Sequence, residues 1–151
     1  MRIVVQRVNR CSVEVNNVII SEIEKGLLLL VGIEETDDQN DIDYLIKKII
    51  NLRIFDDQQG VMNLSVKDID GDILSVSQFT LMASTKKGNR PSYIRAAKPE
   101  ISVPLYDKFL LDLRNTLGKE VKNGEFGAEM KVSLINNGPV TIILDSKQKD
   151  F

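Results

Sequence analysis

The 151-residue sequence contains no histidine and only one cysteine. The missing imidazole excludes a Ser-His-Asp triad and every other mechanism that uses histidine as a base, ligand or proton shuttle. Cys11 has no partner for an internal disulfide, and no Cys/His cluster is spaced to hold zinc. Cys11 is therefore predicted to be a small core residue, and we expect neither a metal nor another cofactor.

The sequence also lacks an apolar run long enough to cross a bilayer, and it enters a strand pattern without signal-peptide architecture. These features predict a cytoplasmic protein with no membrane partner. The length suits one domain over residues 1–151. A formal net charge of −2 excludes a globally basic nucleic-acid binder, so we expect no DNA partner, and any RNA contact must come from a local patch.

The first third of the chain is rich in strand patterns. Residues 1–8 and 11–15 alternate apolar and polar side chains, and Asn16-Asn17 predicts a hairpin turn into residues 18–20. Residues 27–31 are too apolar for an edge strand. They are predicted to form a central strand of the sheet.

Two segments have helical periodicity. Thr36 followed by Gln39 has the form of a capping box and predicts a helix over about residues 37–51. Pro104 suits a first helical turn and Gly118 a C-terminal stop, which predicts a second helix over about residues 102–117.

The remaining elements are short. Residues 52–55 are predicted to form a strand, 56–60 a polar loop, 121–126 a loop or strand, and 146–151 a frayed tail. Asp70-Gly71 predicts a second hairpin, joining residues 62–66 to residues 73–81. Two helices among seven or eight strands that arrive in hairpins indicate an α+β domain with an antiparallel or mixed sheet.

Residues 136–141, Asn-Asn-Gly-Pro-Val-Thr, interrupt what reads as two strands over residues 130–135 and 140–144. Alone, this stretch favours a plain hairpin turn, since Asn-Gly is a hairpin signal. The alternative is a corner that presents bare backbone carbonyls, because proline has no N–H and a Gly-Pro bond can be cis.

Ser77, Gln78, Phe79 and Thr80 follow an apolar strand pattern. Periodicity alone favours a plain strand with Phe79 in the core. The functional alternative is that a hydroxyl or backbone N–H at the strand end holds an ester carbonyl. In that case Gln78 supplies a donor and an acceptor, and Phe79 offers a face for adenine stacking.

Five cations follow with no acidic residue between the first and the last. The alternatives are a solvated loop and a surface that contacts phosphates, and we favour phosphate contact, which positions RNA without reading its bases. The five residues are Lys86, Lys87, Arg90, Arg95 and Lys98.

Together with Gly124-Glu125-Phe126-Gly127-Ala128, these motifs resemble the D-aminoacyl-tRNA deacylases, also called D-tyrosyl-tRNA deacylases. The resemblance runs from Met1 to about Asp145. It implies a curved, barrel-like antiparallel or mixed β-sheet with the two main α-helices packed outside, assembled as a symmetric homodimer. The implied partner is the aminoacylated 3′ end of tRNA.

The resemblance also implies a site. Ser77, Gln78, Phe79 and Thr80 would bind the 3′-terminal adenosine and the ester. A cis Gly138–Pro139 bond of one subunit would reach into the pocket of the other and exclude L-amino acids by overlap. Further pocket residues are then Phe126, for which a core role is an equal alternative, and Asn136, Val140 and Thr141.

The function predicted in this way is an editing hydrolase that cleaves D-aminoacyl-tRNA, and also glycyl-tRNA because glycine has no side chain to exclude. Either Thr80 is a nucleophile or the ribose 2′-hydroxyl assists an attacking water. We prefer the second mechanism, because the sequence offers Thr80 neither a histidine nor an evident lysine partner. A non-catalytic RNA 3′-end binding module and an ordinary esterase are the alternative functions.

Overall fold

The sheet is built around one long strand. The computed structural model describes residues 1–150, so the last residue of the predicted tail lies outside the described residues. Strand β1 pairs antiparallel with three strands, and its first half lies between β3 and β8 while its second half lies between β2 and β8. The bounds are β1 (Arg2–Val15), β2 (Val18–Ile23), β3 (Gly26–Gly32) and β8 (Lys131–Asp145).

The sheet is mixed and curls until it nearly closes. β3 pairs in parallel with β6 (Asp72–Ser77), and β6 pairs in parallel with β7 (Lys122–Asn123). The outer strands β2 and β7 then approach each other, and Ser21 Oγ donates to the carbonyl of Asn123 at 2.6 Å. The predicted barrel-like α+β architecture is confirmed, with β3 as a central strand.

The first predicted hairpin is confirmed and the second is wrong. Asn16 and Asn17 have φ of 51° and 62°, the backbone that a tight turn between β1 and β2 requires. Asp70 has φ of 50°, but the strand after it pairs with β3. The apolar residues of β6 are better buried beside β3, and Ile73 lies opposite Leu27 there.

The segment before Asp70 forms a separate small hairpin instead. β4 (Phe55–Asp56) pairs with β5 (Met62–Leu64) in a two-stranded sheet. Asp57 holds the turn, since its carboxylate accepts hydrogen bonds from the N–H groups of Gln59 and Val61. The predicted polar loop 56–60 is therefore mostly a hairpin turn, and the strand predicted over 52–55 begins only at Phe55.

Helices α1 (Gln39–Asn51) and α2 (Pro99–Leu117) pack against the outside of the sheet, as predicted. Each buries one apolar stripe at helical spacing. Among residues 1–150, no helix is both long and apolar enough to span a membrane. The buried stripes are Ile42, Leu45, Ile46, Ile49 and Ile50 on α1, and Tyr106, Phe109, Leu110, Leu113 and Leu117 on α2.

The helix starts differ from the sequence predictions. The capping box of α1 is formed by Asp38 and Asp41, not by Thr36 and Gln39, since aspartate at both positions reaches the free N–H groups. α2 begins at Pro99, and Pro104 lies inside the helix, not in its first turn. The C-terminal stop is confirmed, because Gly118 has φ of 78° and its N–H donates to Arg114.

The main core is the apolar cluster between the sheet and the two helices. A second apolar cluster fills the inside of the curled sheet and includes Cys11, which confirms the predicted core role of Cys11. Burial raises the pKa of the Cys11 thiol to about 11. This cluster extends to Val76, directly before Ser77, so the end of β6 packs against it.

The predicted frayed tail is wrong at its start. The Ser146 N–H donates to the carbonyl of Met1 at 2.9 Å, and Ser146 is buried. Lys147 Nζ donates to the Asp41 carboxylate at 2.8 Å. Burial alone would raise the pKa of Asp41, but this bond and others outweigh it and lower that pKa to about 2.

Candidate active site

Ser77 ends strand β6, and a 3₁₀ turn over Phe79–Met82 follows it. The Gln78 N–H donates to the carbonyl of Val31 at 2.7 Å, which ties the strand end to β3. Because the chain leaves the strand at Gln78, the alternation stops there, and Phe79 is 57% exposed. The placement of Phe79 in the core, which periodicity favoured, is therefore wrong.

A cavity of about 460 Å³ opens beside this strand end. Ser77, Gln78 and Phe79 line one part of it, and Phe126 lines another. The remaining wall is mostly apolar and includes Ile33, Val76, Ala97, Met130 and Val132. The volume lies within the range of small-molecule sites, and a few polar groups in an apolar pocket are typical of them.

Thr80 belongs to the same segment but is not part of the cavity lining formed by the described residues. Its Oγ1 accepts a hydrogen bond from Gln78 Nε2 at 2.5 Å. An amide N–H is a donor and cannot take a proton from the Thr80 hydroxyl. This contact therefore orients Thr80 and Gln78 but supplies no base.

Phe126 lies at the edge of the cavity, 37% exposed, on the loop after β7. The core alternative for Phe126 is therefore wrong. Its ring contacts that of Tyr106, with the centroids 5.8 Å apart and the planes at 53°. Tyr106 is buried, and its hydroxyl lies 3.0 Å from Ser75 Oγ. Burial raises the pKa of Tyr106 to about 12, so the hydroxyl stays protonated.

The Gly-Pro stretch lies within a single strand, so the predicted turn between two strands is wrong. Thr141 of β8 is paired with Gln6, and Asn136 is paired with Val8. The four residues 137–140 therefore lie opposite Arg7 alone and bulge out of the ladder. The Gly138–Pro139 bond is cis, as the resemblance implied, and both residues are exposed.

Arg7 supports this bulge, and the sequence analysis did not single it out. Its Nε donates to the carbonyl of Asn137 at 3.2 Å, and its Nη1 donates to the carbonyl of Ile54 at 2.6 Å. Asp56 lies 3.3 Å from the same Nη1. The sequence pattern that could have identified Arg7 is the alternation of buried and half-buried residues along β1, because Arg7 lies on the buried face with Ile3 and Val5.

The ends of the bulge are joined by polar contacts. Asn136 Nδ2 donates to Thr141 Oγ1 at 3.0 Å, and Gln6 Nε2 reaches the same oxygen at 3.3 Å. Asn136 Oδ1 is buried and has no hydrogen-bond partner among the described residues. Val140 is half-buried and packs against the edge of the main core.

The structure does not bring the Gly-Pro bulge to the cavity of its own chain. Val132 of β8 lines the cavity, and Gly138 lies six residues farther along the same strand. Neither Gly138 and Pro139 nor Asn136, Val140 and Thr141 belong to the lining that the described residues form.

The basic segment forms an exposed loop beside the cavity. Ser84 and Ser92 exchange two backbone hydrogen bonds, of 2.8 and 2.9 Å, and so close the loop that carries Lys86, Lys87 and Arg90. Tyr93, directly after this closure, contacts the ring of Phe79 edge-on with the centroids 5.1 Å apart. The loop therefore begins and ends next to the cavity mouth.

The five cations do not contribute equally. Arg95 is paired with Glu34 at 2.9 Å, so its charge is partly neutralised. Within residues 1–150, the other four, Lys86, Lys87, Arg90 and Lys98, make no ion pair, and all four are exposed. The local positive surface thus rests on four side chains.

Comparisons with known proteins match nearly the whole length of the chain. Residues 4–145 match the family model described as D-Tyr-tRNA(Tyr) deacylase. A protein of Bacteroides fragilis named D-aminoacyl-tRNA deacylase is 64% identical over 150 residues, which cover 99% of this chain and 100% of that relative. A relative of the same name from Flavobacterium psychrophilum is 63% identical with the same coverage.

Two solved structures have a similar fold. A structure titled c-Myc DNA Unwinding Element Binding Protein is 44% identical with a TM-score of 0.92, and the match covers 96% of this chain and 98% of that chain. A probable eukaryotic D-amino acid tRNA deacylase, 18% identical with a TM-score of 0.81 and coverage of 95% and 97%, shows the same fold. The resemblance seen in the sequence is confirmed: the chain belongs to the D-Tyr-tRNA(Tyr) deacylase family, and it is a hydrolase.

Proposed function

We propose that the protein hydrolyses the ester between a D-amino acid and the 3′-terminal ribose of tRNA, releasing free tRNA and the D-amino acid. The observation that carries this proposal is the polar strand end of Ser77 and Gln78, which opens into an otherwise apolar cavity. The ester requires polar groups at one point only, and the apolar walls suit the amino acid and the nucleoside.

The backbone at the strand end supports stabilisation of the ester carbonyl. The Gln78 N–H is occupied by Val31, but the N–H groups of Phe79 and Thr80 make no hydrogen bond within the described part of the chain. Free backbone donors at a fixed strand end are the groups from which an oxyanion site is built. The exposed ring of Phe79 offers a stacking face for the terminal adenine.

The attacking group is a water assisted by the ribose 2′-hydroxyl. The contact of Thr80 with the Gln78 amide supports this assignment, because an unassisted threonine hydroxyl is a poor nucleophile and its neighbour is a donor. The ribose hydroxyl is adjacent to the 3′-ester and so is held beside the reacting carbon by the substrate itself.

Selectivity for the D configuration is assigned to Gly138 and Pro139 of a second copy. These residues are exposed and do not belong to the cavity lining that the described residues of their own chain form, so a second copy in a homodimer is assigned to bring them to the cavity. Rigid backbone atoms at the position of an L side chain exclude every L-amino acid by overlap, whatever its chemistry. They do not exclude glycine.

The acceptor end of tRNA is positioned by the exposed loop cations Lys86, Lys87 and Arg90, together with Lys98. Contacts of this kind bind the phosphate backbone and fix its orientation, and they weaken as salt is added. The Phe79–Tyr93 contact supports this assignment, since it joins the loop to the residues that line the cavity.

The mechanism is tested with two changes, one in the enzyme and one in the substrate. Thr80→Ala is expected to retain most of its activity. A 3′-charged D-aminoacyl-tRNA whose terminal 2′-hydroxyl is replaced by hydrogen is expected to be cleaved at least about 100-fold more slowly while still binding. Single-turnover ester loss and filter binding give the two quantities.

The opposite pattern would contradict this mechanism: a deoxy substrate cleaved normally, with Thr80→Ala folded, able to bind tRNA and inert. Retention of tRNA by the wild-type chain with no ester loss above a protein-free control would instead favour the RNA-binding module. Cleavage of simple esters at a similar rate would favour an ordinary esterase.

A further inference from the structure

The cavity wall formed by Phe126 is attached to buried residues that lie outside the cavity. Phe126 is partly exposed on a loop, and its ring packs against Tyr106 of α2. Aromatic pairs at this spacing and tilt stabilise each other beyond the area they bury. The position of the Phe126 ring therefore depends on where Tyr106 lies.

Tyr106 is in turn fixed by Ser75. Both residues are buried, with exposed fractions of 3% and 0%, and their hydroxyls are 3.0 Å apart. The carbonyl of Ser75 also accepts a hydrogen bond from the Gly124 N–H at 3.0 Å, at the start of the loop that carries Phe126. Ser75 thus holds both the base of that loop and, through Tyr106, the ring near its tip.

The same residue joins this wall to the polar strand end. Ser75 lies on β6 two residues before Ser77, where β6 pairs with β3 on one side and with β7 on the other. A shift of Tyr106 would break the hydrogen bond between the two buried hydroxyls and leave both of them without this partner, which is unfavourable. Ser75 therefore connects Phe126, through Tyr106, to the strand that carries Ser77 and leads into Gln78.

We propose that Tyr106, anchored by Ser75, is a positioning residue that holds Phe126 as the wall against which the apolar part of the aminoacyl-adenosine packs. The kinetic consequence rests on the proposed deacylase function, whereas the positioning of Phe126 does not. Because Phe126 contacts the bound substrate away from the ester, losing its position weakens binding and leaves the chemical step largely intact.

A double-mutant cycle on KM tests the proposal. We expect Tyr106→Leu and Phe126→Leu each to raise KM for a D-aminoacyl-tRNA about fivefold, with kcat changed by less than about twofold. Because Tyr106 acts through Phe126, its replacement does not raise KM further once the Phe126 ring is gone. The KM of the double variant is therefore expected to equal that of the single variant with the larger effect. Tyr106→Phe, which keeps the ring but loses the hydroxyl bonded to Ser75, is expected to raise KM by the same factor as Ser75→Ala and by less than Tyr106→Leu.

A purely structural Tyr106 predicts a different result. Its loss would lower the melting temperature and the amount of active enzyme. In that case, either Tyr106→Leu leaves KM unchanged, or the two single effects multiply and the double variant has a KM about 25-fold above wild type. Either outcome overturns the proposal. If Tyr106→Leu does not fold, Ser75→Ala takes its place in the cycle, because it removes only one buried hydroxyl.

A second readout is independent of activity. The chain has no tryptophan, so Phe126→Trp introduces a single fluorophore at the wall. We expect acrylamide to quench it more strongly when Ser75→Ala or Tyr106→Leu is added, because the ring is then released to solvent. Unchanged quenching overturns the inference, whereas increased quenching in a chain that cleaves no D-aminoacyl-tRNA contradicts the proposed function alone.

Discussion

Among single residues, Gly138 packs so closely against the Arg7 guanidinium that no side chain fits between them. An added Cβ at Gly138 would lie 2.8 Å from Val140 Cγ2 and 3.0 Å from Arg7 Nη2. The φ of 121° is also unfavourable for any residue with a side chain. The bulge can therefore hold its shape above the buried guanidinium only with glycine at this position.

Gly138→Ala is accordingly expected to lower the free energy of unfolding by about 1–3 kcal/mol, measured by urea titration. Gly60→Ala is the matched control, since Gly60 also has positive φ, 77°, but a Cβ there would meet no atom within 4 Å. The control is expected to cost about 1 kcal/mol. A Gly138→Ala variant no less stable than the control would contradict the crowding described here.

At the scale of elements, the first turn of α1 depends on an aspartate that the sequence pattern did not identify as a cap. The Asp38 carboxylate accepts hydrogen bonds from the N–H groups of Asn40 and Asp41, and the Asp41 carboxylate accepts one from Asp38. Two N–H groups of the first helical turn thereby gain acceptors, and so does the N–H of the cap residue Asp38.

Asp38→Ala is expected to destabilise the protein by about 1 kcal/mol, the usual cost of losing a good N-cap. Thr36→Ala is the control, because the Thr36 side chain makes no hydrogen bond within residues 1–150. Thermal or urea unfolding of both variants provides the comparison. A larger loss for Thr36→Ala would support the capping box predicted from the sequence instead.

The same elements show how far sequence reasoning reaches. Alternation located β1, a continuous apolar run located β3 and helical spacing located α1 and α2, because each of these patterns is a local property of the sequence. Turn signals were less informative: Asp70-Gly71 does form a turn, but a turn does not specify which strand its neighbours will join. The pairing of β6 with β3 follows from burying two apolar strands side by side, a contact between distant residues.

The site was predicted in part for the same reason. The motifs brought Ser77, Gln78, Phe79 and Phe126 to attention, and all four line the cavity. Arg7, Ser75 and Tyr106 were not identified, because a buried polar residue is recognised by its partners and these come from other elements. Only the long-range contacts, Arg7 with Asn137 and Tyr106 with Phe126, reveal their roles.

At the scale of the whole molecule, the two motifs lie apart in one chain, which leads to a prediction about assembly. If Gly138 and Pro139 complete the cavity of a second copy, activity requires a dimer. Sedimentation velocity at the assay concentration is expected to show a dimer, and dilution to monomer is expected to abolish D-aminoacyl-tRNA hydrolysis. A fully active monomer that still rejects L-aminoacyl-tRNA would contradict the assignment of selectivity to a second copy.

The most direct measurement compares one tRNA charged with a D-amino acid, its L enantiomer or glycine, with ester loss followed against a protein-free control. Exclusion by overlap predicts that the D ester and the glycyl ester are hydrolysed while the L ester decays at the control rate. Inertness toward the glycyl ester beside normal cleavage of the D ester would show that the side chain is positively recognised. Hydrolysis of the L and D esters at equal rates, or of neither, would contradict the account of this protein as a D-aminoacyl-tRNA deacylase.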